Sequence, residues 1–281
     1  MSELEGKTAL VTGAAGGLGR AIVAGLLAAG ARVMATDIDV NGLGVLAADH
    51  KAAGDRLATR RVDISDAKAC ADAVAATQAK FGSLGILVNN GAVGMGLIRA
   101  DHMTNLVGIE EISPEVWNTF IAVNLSGAWY LTRAAVPAMK HAGSGRIINI
   151  TTSMFTMLRG RFHPYGPSKA AMEAMSAGHA QEFEDDGITV NVVVPGGPAD
   201  TAMVPPESGY RRGDLIPPDA MVPPIVWLCS DAGKGVTGKR YIAANWKAGR
   251  SLTDNRQAAE SPAGWPSLAG TPVWPGGKPK A

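Results

Sequence analysis

The regular alternation of short strand-like segments with longer helical segments constrains this chain more than any other feature. In the first half, strands are predicted at residues 8–12, 32–36, 58–62, 85–88 and 146–150, and helices around 20–29, 43–53, 66–80 and 114–141. Apolar strands that are joined through helices are typical of a parallel sheet with helices on both faces. The pattern therefore predicts a three-layer α/β fold.

Composition limits the class of protein further. The chain has 281 residues and a formal net charge of +1, which suits one large domain and gives no electrostatic reason to expect nucleic acid or an anionic membrane as partner. Its two cysteines, Cys70 and Cys229, lie in helix-like or apolar surroundings, as buried free thiols of a reducing compartment do. The start of the chain does not resemble a leader, and no apolar run reaches about 18 residues. We expect a soluble cytoplasmic protein, and we identify no metal-ligand set.

A glycine-rich turn joins the first predicted strand to the first helix. It contains Gly13, Gly16, Gly17, Leu18 and Gly19. Glycines permit a tight turn and let the backbone approach a pyrophosphate, whose charge is stabilised by the free N–H groups and the positive dipole of the helix N-terminus. A glycine cluster alone is a weak signal, but its place between a strand and a helix indicates a dinucleotide site.

An acidic residue, Asp37, follows the second strand about 20 residues beyond the glycines, where a carboxylate is expected to bind the adenosine ribose hydroxyls. It would repel a 2′-phosphate, and neither Ala14 nor Ala15 in the glycine turn supplies an offsetting charge. These features favour NAD as the cofactor. The alternative is that Asp37 caps the next turn together with Asp39 and Asn41.

The next strands also end in polar or small residues. Asp63 and Ile64 follow the third strand, at a place suited to flank an adenine ring, and Asn90 and Gly91 follow the fourth. Asn124 is a polar residue in an apolar helical stretch, so it is predicted to be buried and hydrogen bonded. A purely structural amide is the alternative for Asn124.

Tyr165 and Lys169 are predicted to be neighbours on one helical face. They are four residues apart, and Pro167 between them is tolerated only in a first turn, so the helix should begin near Tyr165. A nearby ammonium favours the phenolate and would lower the tyrosine pKa from about 10 towards the working range of an acid or base. The alternative is an ordinary surface pair.

The strand at 146–150 ends in the hydroxyls of Thr151, Thr152 and Ser153. Since ligands bind at the carboxyl ends of strands in open α/β sheets, these hydroxyls are placed to bind a substrate oxygen. Successive strand side chains point to opposite faces, so Thr152 and Ser153 do not easily serve one pocket.

These motifs resemble the classical short-chain dehydrogenases/reductases over about residues 4–246. The resemblance is carried by residues 12–19, 89–92, 165–169, 190–196 and 236–238, and by Asn124 within Val-Asn-Leu-Ser-Gly. It implies a Rossmann-type doubly wound sheet of seven parallel strands, a nicotinamide cofactor and a catalytic set of Asn, Ser, Tyr and Lys. Two departures stand out. Gly91 and Ala92 are exchanged relative to the family motif, and both family spacings for the catalytic serine fall on Thr152, which we favour over Ser153.

The resemblance extends to the second half of the chain. It places a sixth strand at 188–194, a turn at Pro195 and Gly196, a nicotinamide contact at Thr201, a substrate lid at 203–218 and a last strand at 240–243. Residues 1–249 are predicted as the catalytic domain and 250–281 as a tail that is not a separate domain. Because prolines and glycines are dense in the tail, we expect neither helix nor sheet there, and an extended path with Trp265 and Trp274 near a subunit boundary or pocket mouth.

The predicted activity is hydride transfer between NAD(H) and a secondary alcohol or ketone. Tyr165 is the predicted acid/base, Lys169 its tuning charge and a ribose ligand, and Asn124 the residue that orders a water. An apolar or aromatic substrate is predicted because the side chains that would line the pocket are apolar: Met154, Phe155, Met157, Leu158, Phe162 and Met203. The arginines at 159, 161, 211 and 212 could bind a carboxylate or phosphate, so the presence of an anionic group on the substrate stays open. The alternative is an NAD-binding regulatory protein without turnover. Surplus apolar stripes on the helices at 114–141 and 167–184, which pair across a two-fold axis in the family, predict a homotetramer.

Overall fold

The sheet of this protein has eight strands in the order β3-β2-β1-β4-β5-β6-β7-β8. A computed structural model describes residues 2–267. The strands are β1 (Thr8–Thr12), β2 (Arg32–Asp37), β3 (Leu57–Arg61), β4 (Ile86–Asn89), β5 (Gly145–Ile150), β6 (Ile188–Val194), β7 (Lys239–Ile242) and β8 (Glu260–Pro262). The first seven are parallel, and β8 runs antiparallel to β7.

Helices cover both faces of the sheet. They are α1 (Gly17–Ala28), α2 (Val40–Asp49), α3 (Ala67–Phe81), α4 (Pro114–Ile121), α5 (Gly127–Ala142), α6 (Met154–Leu158), α7 (Tyr165–Glu182), α8 (Val222–Cys229) and α9 (Leu252–Ala259). A π-helical turn, Ala122–Ser126, joins α4 to α5. Ser113 caps α4 by accepting a hydrogen bond from Val116 N, with Pro114 at the first helical position. The helical stretch predicted at 114–141 is therefore one run with a π turn in its middle.

Each face of the sheet has its own core because strand side chains alternate. Val11 packs with Ile22 of α1 and Ile225 of α8 on one face. Leu10 packs with Val74 of α3 and Leu131 of α5 on the other. The predicted doubly wound three-layer fold is confirmed.

The strand order reverses between β1 and β4, which lie side by side although β2 and β3 precede β4 in sequence. At such a point the loops that follow the two strands diverge and leave a crevice at the carboxyl edge of the sheet. The glycine turn after β1 and the Asn90-Gly91 turn after β4 both lie at this crevice.

The prediction of seven strands and of a tail without secondary structure was wrong for residues 252–262. Ser251 caps α9 by accepting a hydrogen bond from Asp254 N, and no proline interrupts that helix. β8 then pairs with β7, and Ala263 is buried against Val192 and Val194 of β6. The prolines and glycines of the tail lie beyond residue 261. The average composition of residues 250–281 therefore did not reveal the helix-forming segment at its start. Trp274 lies outside the described residues, and the domain boundary at 249 remains a prediction.

Within residues 2–267, the helices lack the combination of length and apolarity that crossing a membrane requires.

Ending the chain at Gly249 should destabilise the fold. It removes the buried side chains of Asn255, Ala259 and Ala263, and the carboxylate of Glu260 that accepts a 2.6 Å hydrogen bond from Tyr241 Oη. We expect the free energy of unfolding to fall by about 2–4 kcal/mol. Urea denaturation measures the change, and a chain ended at Ser267 is the control. Equal stability of the two truncated chains would contradict the stabilising role of α9 and β8.

Candidate active site

The glycine turn after β1 is closely packed, and this packing depends on its missing side chains. Gly13 has φ +62, and a Cβ on Gly19 would lie 1.9 Å from Gly13 O. Gly16 is the N-cap of α1, and a Cβ there would meet only Gly13 O, at 3.5 Å. The surface beside Gly16 is therefore open, and the helix dipole makes the N-terminus of α1 suitable for a phosphate.

The Asn90-Gly91 turn is fastened to the end of β1. The hydroxyl of Thr12 accepts hydrogen bonds from Asn90 N at 3.0 Å and Gly91 N at 2.9 Å. Asn90 Nδ2 donates to Thr12 O at 2.9 Å and to Gly13 O at 3.0 Å. A Cβ on Gly91 would lie 2.9 Å from Ile64 Cδ1, so the exchange of Gly91 and Ala92 fits the packing at this point. The predicted residues Gly13, Ile64, Asn90 and Gly91 are thus brought together.

Asp37 ends β2 and faces the glycine turn. Its Oδ2 accepts a hydrogen bond from Ala15 N at 2.9 Å, and its Oδ1 accepts one from Asp39 N at 3.0 Å. The carboxylate therefore contacts both the glycine turn and the turn that precedes α2. Asp39, and not Asp37, caps α2 by accepting from Gly42 N.

Asp63 lies after β3, with its carboxylate turned to Ser65. Asp63 Oδ1 accepts bonds from Ser65 Oγ at 2.6 Å and Ser65 N at 2.9 Å, and these bonds lower the pKa of the carboxyl. Its side chain is thus engaged in its own loop.

The turn after β6 reaches the same crevice. Gly196 has φ +106, and Pro195 O accepts a hydrogen bond from Ala244 N at 3.0 Å. Thr201 lies over the first turn of α1, since a Cβ on Gly17 would lie 2.8 Å from Thr201 Cγ2. The predicted residues Gly17, Pro195, Gly196 and Thr201 therefore border one cleft edge.

Tyr165 is the first residue of α7, as predicted, and the Thr152 side chain lies close enough to lower the pKa of its phenol. Ser153 has a different environment. It caps α6, with its Oγ 2.9 Å from Thr156 Oγ1 and accepting from Thr156 N at 3.1 Å. Of the two candidate hydroxyls, Thr152 therefore faces the phenol, and Ser153 is occupied by a helix cap.

Lys169 lies one helical turn beyond Tyr165 and is 2% exposed. Its Nζ donates a 2.8 Å hydrogen bond to Ile150 O at the end of β5. Burial lowers the pKa of Lys169 to about 8. Burial also raises the pKa of Tyr165 to about 12, although the bond with Thr152 lowers it. The expectation that Lys169 lowers the pKa of Tyr165 was wrong, because desolvation of the phenol outweighs the other influences.

Asn124 is buried in the π-helical turn, as predicted. Its Oδ1 accepts from Val93 N at 2.8 Å, and its Nδ2 donates to Val93 O at 3.0 Å and to Ser168 Oγ at 3.1 Å. The amide side chain thus joins the loop after β4 to α7. π-helical turns occur often at functional sites.

Two residues of this site, Glu173 and Arg240, escaped the sequence analysis. Glu173 Oε2 accepts hydrogen bonds from Thr151 Oγ1 at 2.8 Å and from Arg240 Nη1 at 2.6 Å. A signal was present, since Glu173 lies four residues after Lys169 on the same helical face and Arg240 lies in the predicted last strand. Charged residues at such positions need partners.

The side of the site next to Tyr165 is apolar. The buried side chains of Met95, Val107, Phe120 and Phe162 form a small core against which Tyr165 packs. The lid reaches this region, since a Cβ on Gly94 would lie 2.8 Å from Met203 Cγ.

The basic residues of the lid and of the loop after α6 have partners of their own. Arg211 pairs with Asp214 at 2.7 Å, and Arg212 pairs with Asp200 at 2.9 Å. The guanidinium of Arg159 lies 4.8 Å from the centre of the Phe162 ring. Three of the four arginines singled out in the sequence, Arg159, Arg211 and Arg212, therefore have partners within the chain.

Comparison with known proteins agrees with this architecture. A family model described as short chain dehydrogenase matches residues 7–209. The protein belongs to this family. It is an oxidoreductase that acts on alcohol or ketone groups, and the family binds a nicotinamide cofactor.

Two curated relatives and one solved structure illustrate the likeness. The 2,5-dichloro-2,5-cyclohexadiene-1,4-diol dehydrogenase LinX of Sphingobium indicum is 34% identical, over 88% of this chain and 99% of its own length. The D-threitol dehydrogenase of Mycolicibacterium smegmatis is also 34% identical, over 85% of this chain and 92% of its own. The crystal structure of a metagenomic short-chain oxidoreductase in complex with NADP is 30% identical, with a TM-score of 0.68, and covers 81% of this chain and 92% of its own.

Replacing Lys169 with Met should change how stability depends on pH. Because the folded-state pKa of about 8 lies below the ordinary value of 10.5, the unfolded chain binds more protons between these pH values. The stability contributed by neutral Lys169 is present above pH 10.5 and is lost as the pH falls through 8. As the pH increases from 8 to 10.5, the free energy of unfolding of the wild type should rise by about 3 kcal/mol relative to that of Lys169→Met.

Urea denaturation of both proteins at several pH values across the window measures this difference. Both proteins retain Tyr165, so its titration cancels in the comparison. Parallel pH profiles would contradict the buried state of the Lys169 ammonium.

Proposed function

We propose that this protein is an NAD-preferring dehydrogenase/reductase for a secondary alcohol or ketone of apolar or aromatic character. The observation that carries the proposal is the arrangement at the end of β5, where the Thr152 side chain lies beside the Tyr165 phenol and Lys169 lies one helical turn away. This set lies at the same sheet edge as the glycine turn.

In this proposal Tyr165 exchanges a proton with the substrate oxygen, and Thr152 holds that oxygen by a hydrogen bond. A bound nicotinamide supplies hydride exchange at its C4. Lys169, whose Nζ donates to Ile150 O, is placed to hold a ribose hydroxyl. Asn124 keeps its predicted role of ordering a water, in addition to its bonds to Val93 and Ser168.

The chain's own residues form a cradle that fits a dinucleotide. The open N-terminus of α1 beside Gly16, Gly17, Leu18 and Gly19 would hold the pyrophosphate, and Asp37 the adenosine ribose. Asp63, Ile64, Asn90 and Gly91 would border the adenine side, and Pro195, Gly196 and Thr201 the nicotinamide side.

Preference for NAD is inferred from Asp37. Its carboxylate lies against Ala15 N in the glycine turn, so a 2′-phosphate placed there would meet a negative charge. The metagenomic oxidoreductase of similar structure was crystallised with NADP, the cofactor that this proposal disfavours for the present chain.

The apolar substrate character is inferred from the core of Met95, Val107, Phe120 and Phe162 beside Tyr165. LinX, whose name gives a dichlorinated cyclohexadienediol as substrate, fits this character, whereas the threitol enzyme acts on a polar polyol. A regulatory protein that binds NAD without turnover is the alternative, and the Thr152–Tyr165–Lys169 arrangement argues against it.

We also propose a homotetramer, since Trp117 and Trp129 on the run from α4 to α5 are 41% and 44% exposed. Large exposed apolar side chains on helices that carry surplus apolar stripes favour an interface between copies. Sedimentation equilibrium of the full chain measures the assembly, and a monomer would refute it.

A panel of secondary alcohols and ketones, assayed by the absorbance of the reduced nicotinamide, tests the proposed activity and the role of each hydroxyl. Thr152→Val should lower kcat by about two orders of magnitude, because one preorganised hydrogen-bond donor is lost. Ser153→Ala should have a small effect, since Ser153 caps α6. Cofactor affinity should stay nearly unchanged in both variants.

Tyr165→Phe is the control for the chemistry and should abolish turnover while leaving cofactor binding intact. The proposed activity fails if the wild type binds NAD but turns over no member of the panel. The opposite ranking of Thr152→Val and Ser153→Ala would assign the substrate hydroxyl to Ser153.

The cofactor preference is tested by comparing kcat/KM for NAD and NADP. We expect at least a tenfold advantage for NAD, about 1.4 kcal/mol, because Asp37 binds the ribose of one cofactor and repels the phosphate of the other. Asp37→Ala should narrow the ratio, and Asp39→Ala, which alters the neighbouring cap of α2, should leave it unchanged. Similar kcat/KM values for both cofactors in the wild type would be the opposing result.

A further inference from the structure

A buried ion pair lies directly behind the hydroxyl that the proposed mechanism uses. Arg240 on β7 donates from Nη2 to Thr152 O at 2.6 Å and from Nη1 to Glu173 Oε2 at 2.6 Å. The same Nη1 lies 3.3 Å from Thr151 Oγ1. The side chains of Arg240 and Glu173 are 8% and 1% exposed. Three elements, β7, α7 and the segment after β5, therefore meet at one guanidinium.

This pair is a costly way to stabilise a fold. Removing two charges from water carries a desolvation penalty that their attraction often fails to repay. Within residues 2–267, Glu173 Oε1 is buried without a hydrogen-bond partner, so the carboxylate is not fully satisfied. Beyond the charge attraction, the pair binds the Thr151 hydroxyl and the Thr152 carbonyl oxygen.

The backbone around Thr152 is held at two successive points. Lys169 Nζ holds Ile150 O, and Arg240 Nη2 holds Thr152 O. Between them, the Thr151 hydroxyl donates to Glu173 at 2.8 Å. Because the main chain is held on both sides of the Thr152 Cα, the position and direction of the Thr152 side chain relative to Tyr165 are fixed.

We infer that Arg240 and Glu173 are positioning residues, which aim the Thr152 hydroxyl at the substrate oxygen by fixing the Thr152 carbonyl. The inference rests on the role proposed for Thr152. Small displacements of a reacting or orienting group lower rates strongly, so the pair acts on turnover and not on cofactor affinity.

The double variant Arg240→Met/Glu173→Met separates positioning from stability. It leaves no unpaired charge in the interior, so it should fold with a melting temperature close to that of the wild type. Thr152 O nevertheless loses its donor. We expect kcat to fall between about tenfold and a hundredfold while the Kd for NAD changes by less than about twofold. Arg240→Lys, which keeps one donor, should recover part of the loss.

Arg256→Met is the matched control. Arg256 also forms an ion pair beside β7, with Glu260 at 2.6 Å, and it does not contact Thr152. Its substitution should leave kcat unchanged. The inference is overturned if the folded double variant turns over at the wild-type rate, or if Arg256→Met causes the same loss.

Hydrogen exchange measured by mass spectrometry gives a readout that needs no substrate. Amides of residues 151–158 should exchange faster in the double variant than in the wild type, with α1 and α3 unchanged. If the wild type turns over no substrate, the proposed function fails, and exchange then decides the inference alone. Unchanged exchange in 151–158 would overturn it.

Discussion

The site depends on a buried row of polar contacts between α7 and β5. Lys169, Glu173 and Ser176 lie on one face of α7 at spacings of four and three residues. They meet Ile150 O, Thr151 Oγ1 and Asn149 Nδ2 in turn. Asn149 and Thr151 are two residues apart, so their side chains point to the same face of the sheet. The helical and strand periodicities therefore coincide over this short stretch.

A buried polar group without a partner costs about 1–3 kcal/mol, so these contacts fix the register between helix and strand. A shift of α7 by one residue would separate every pair at once. The same register places Tyr165 at the start of the helix beside Thr152 at the end of the strand. The row continues sideways through Asn89 Nδ2, which donates to Asn149 Oδ1 at 2.8 Å. The neighbouring strands β4 and β5 are thereby linked through their side chains as well as their main chains.

Sequence predicted those features that depend on local spacing. The glycine turn, Asp37 at the end of β2 and the start of α7 at Tyr165 each follow from residues within about one turn of helix or strand. Glycines required by packing and glycines required by a ligand look alike in sequence, and only the geometry distinguishes Gly19, which would clash with Gly13 O, from the open Gly16.

Features that depend on distant residues could not be predicted in this way. Arg240 and Glu173 are 67 positions apart, and nothing local pairs them. The pKa of Tyr165 is raised because the fold removes water from the phenol. This desolvation cannot be deduced from the four-residue spacing between Tyr165 and Lys169. β8 was missed because a three-residue strand has little pattern of its own and forms only where β7 offers an edge.

That added strand changes what the outer boundaries of the sheet offer to other chains. An unpaired strand presents free N–H and C=O groups that template association with a second copy. Along β7, these groups are taken by the chain's own residues 260–262, and the new edge strand β8 is only three residues long and ends in a proline, which has no N–H to donate. At the opposite edge of the sheet, β3 ends in the exposed Arg60 and Arg61, whose charges oppose edge-to-edge pairing with a second sheet. Growth of the sheet from molecule to molecule is therefore disfavoured at both ends, and the helical faces are left as the surfaces through which copies can associate without forming fibres.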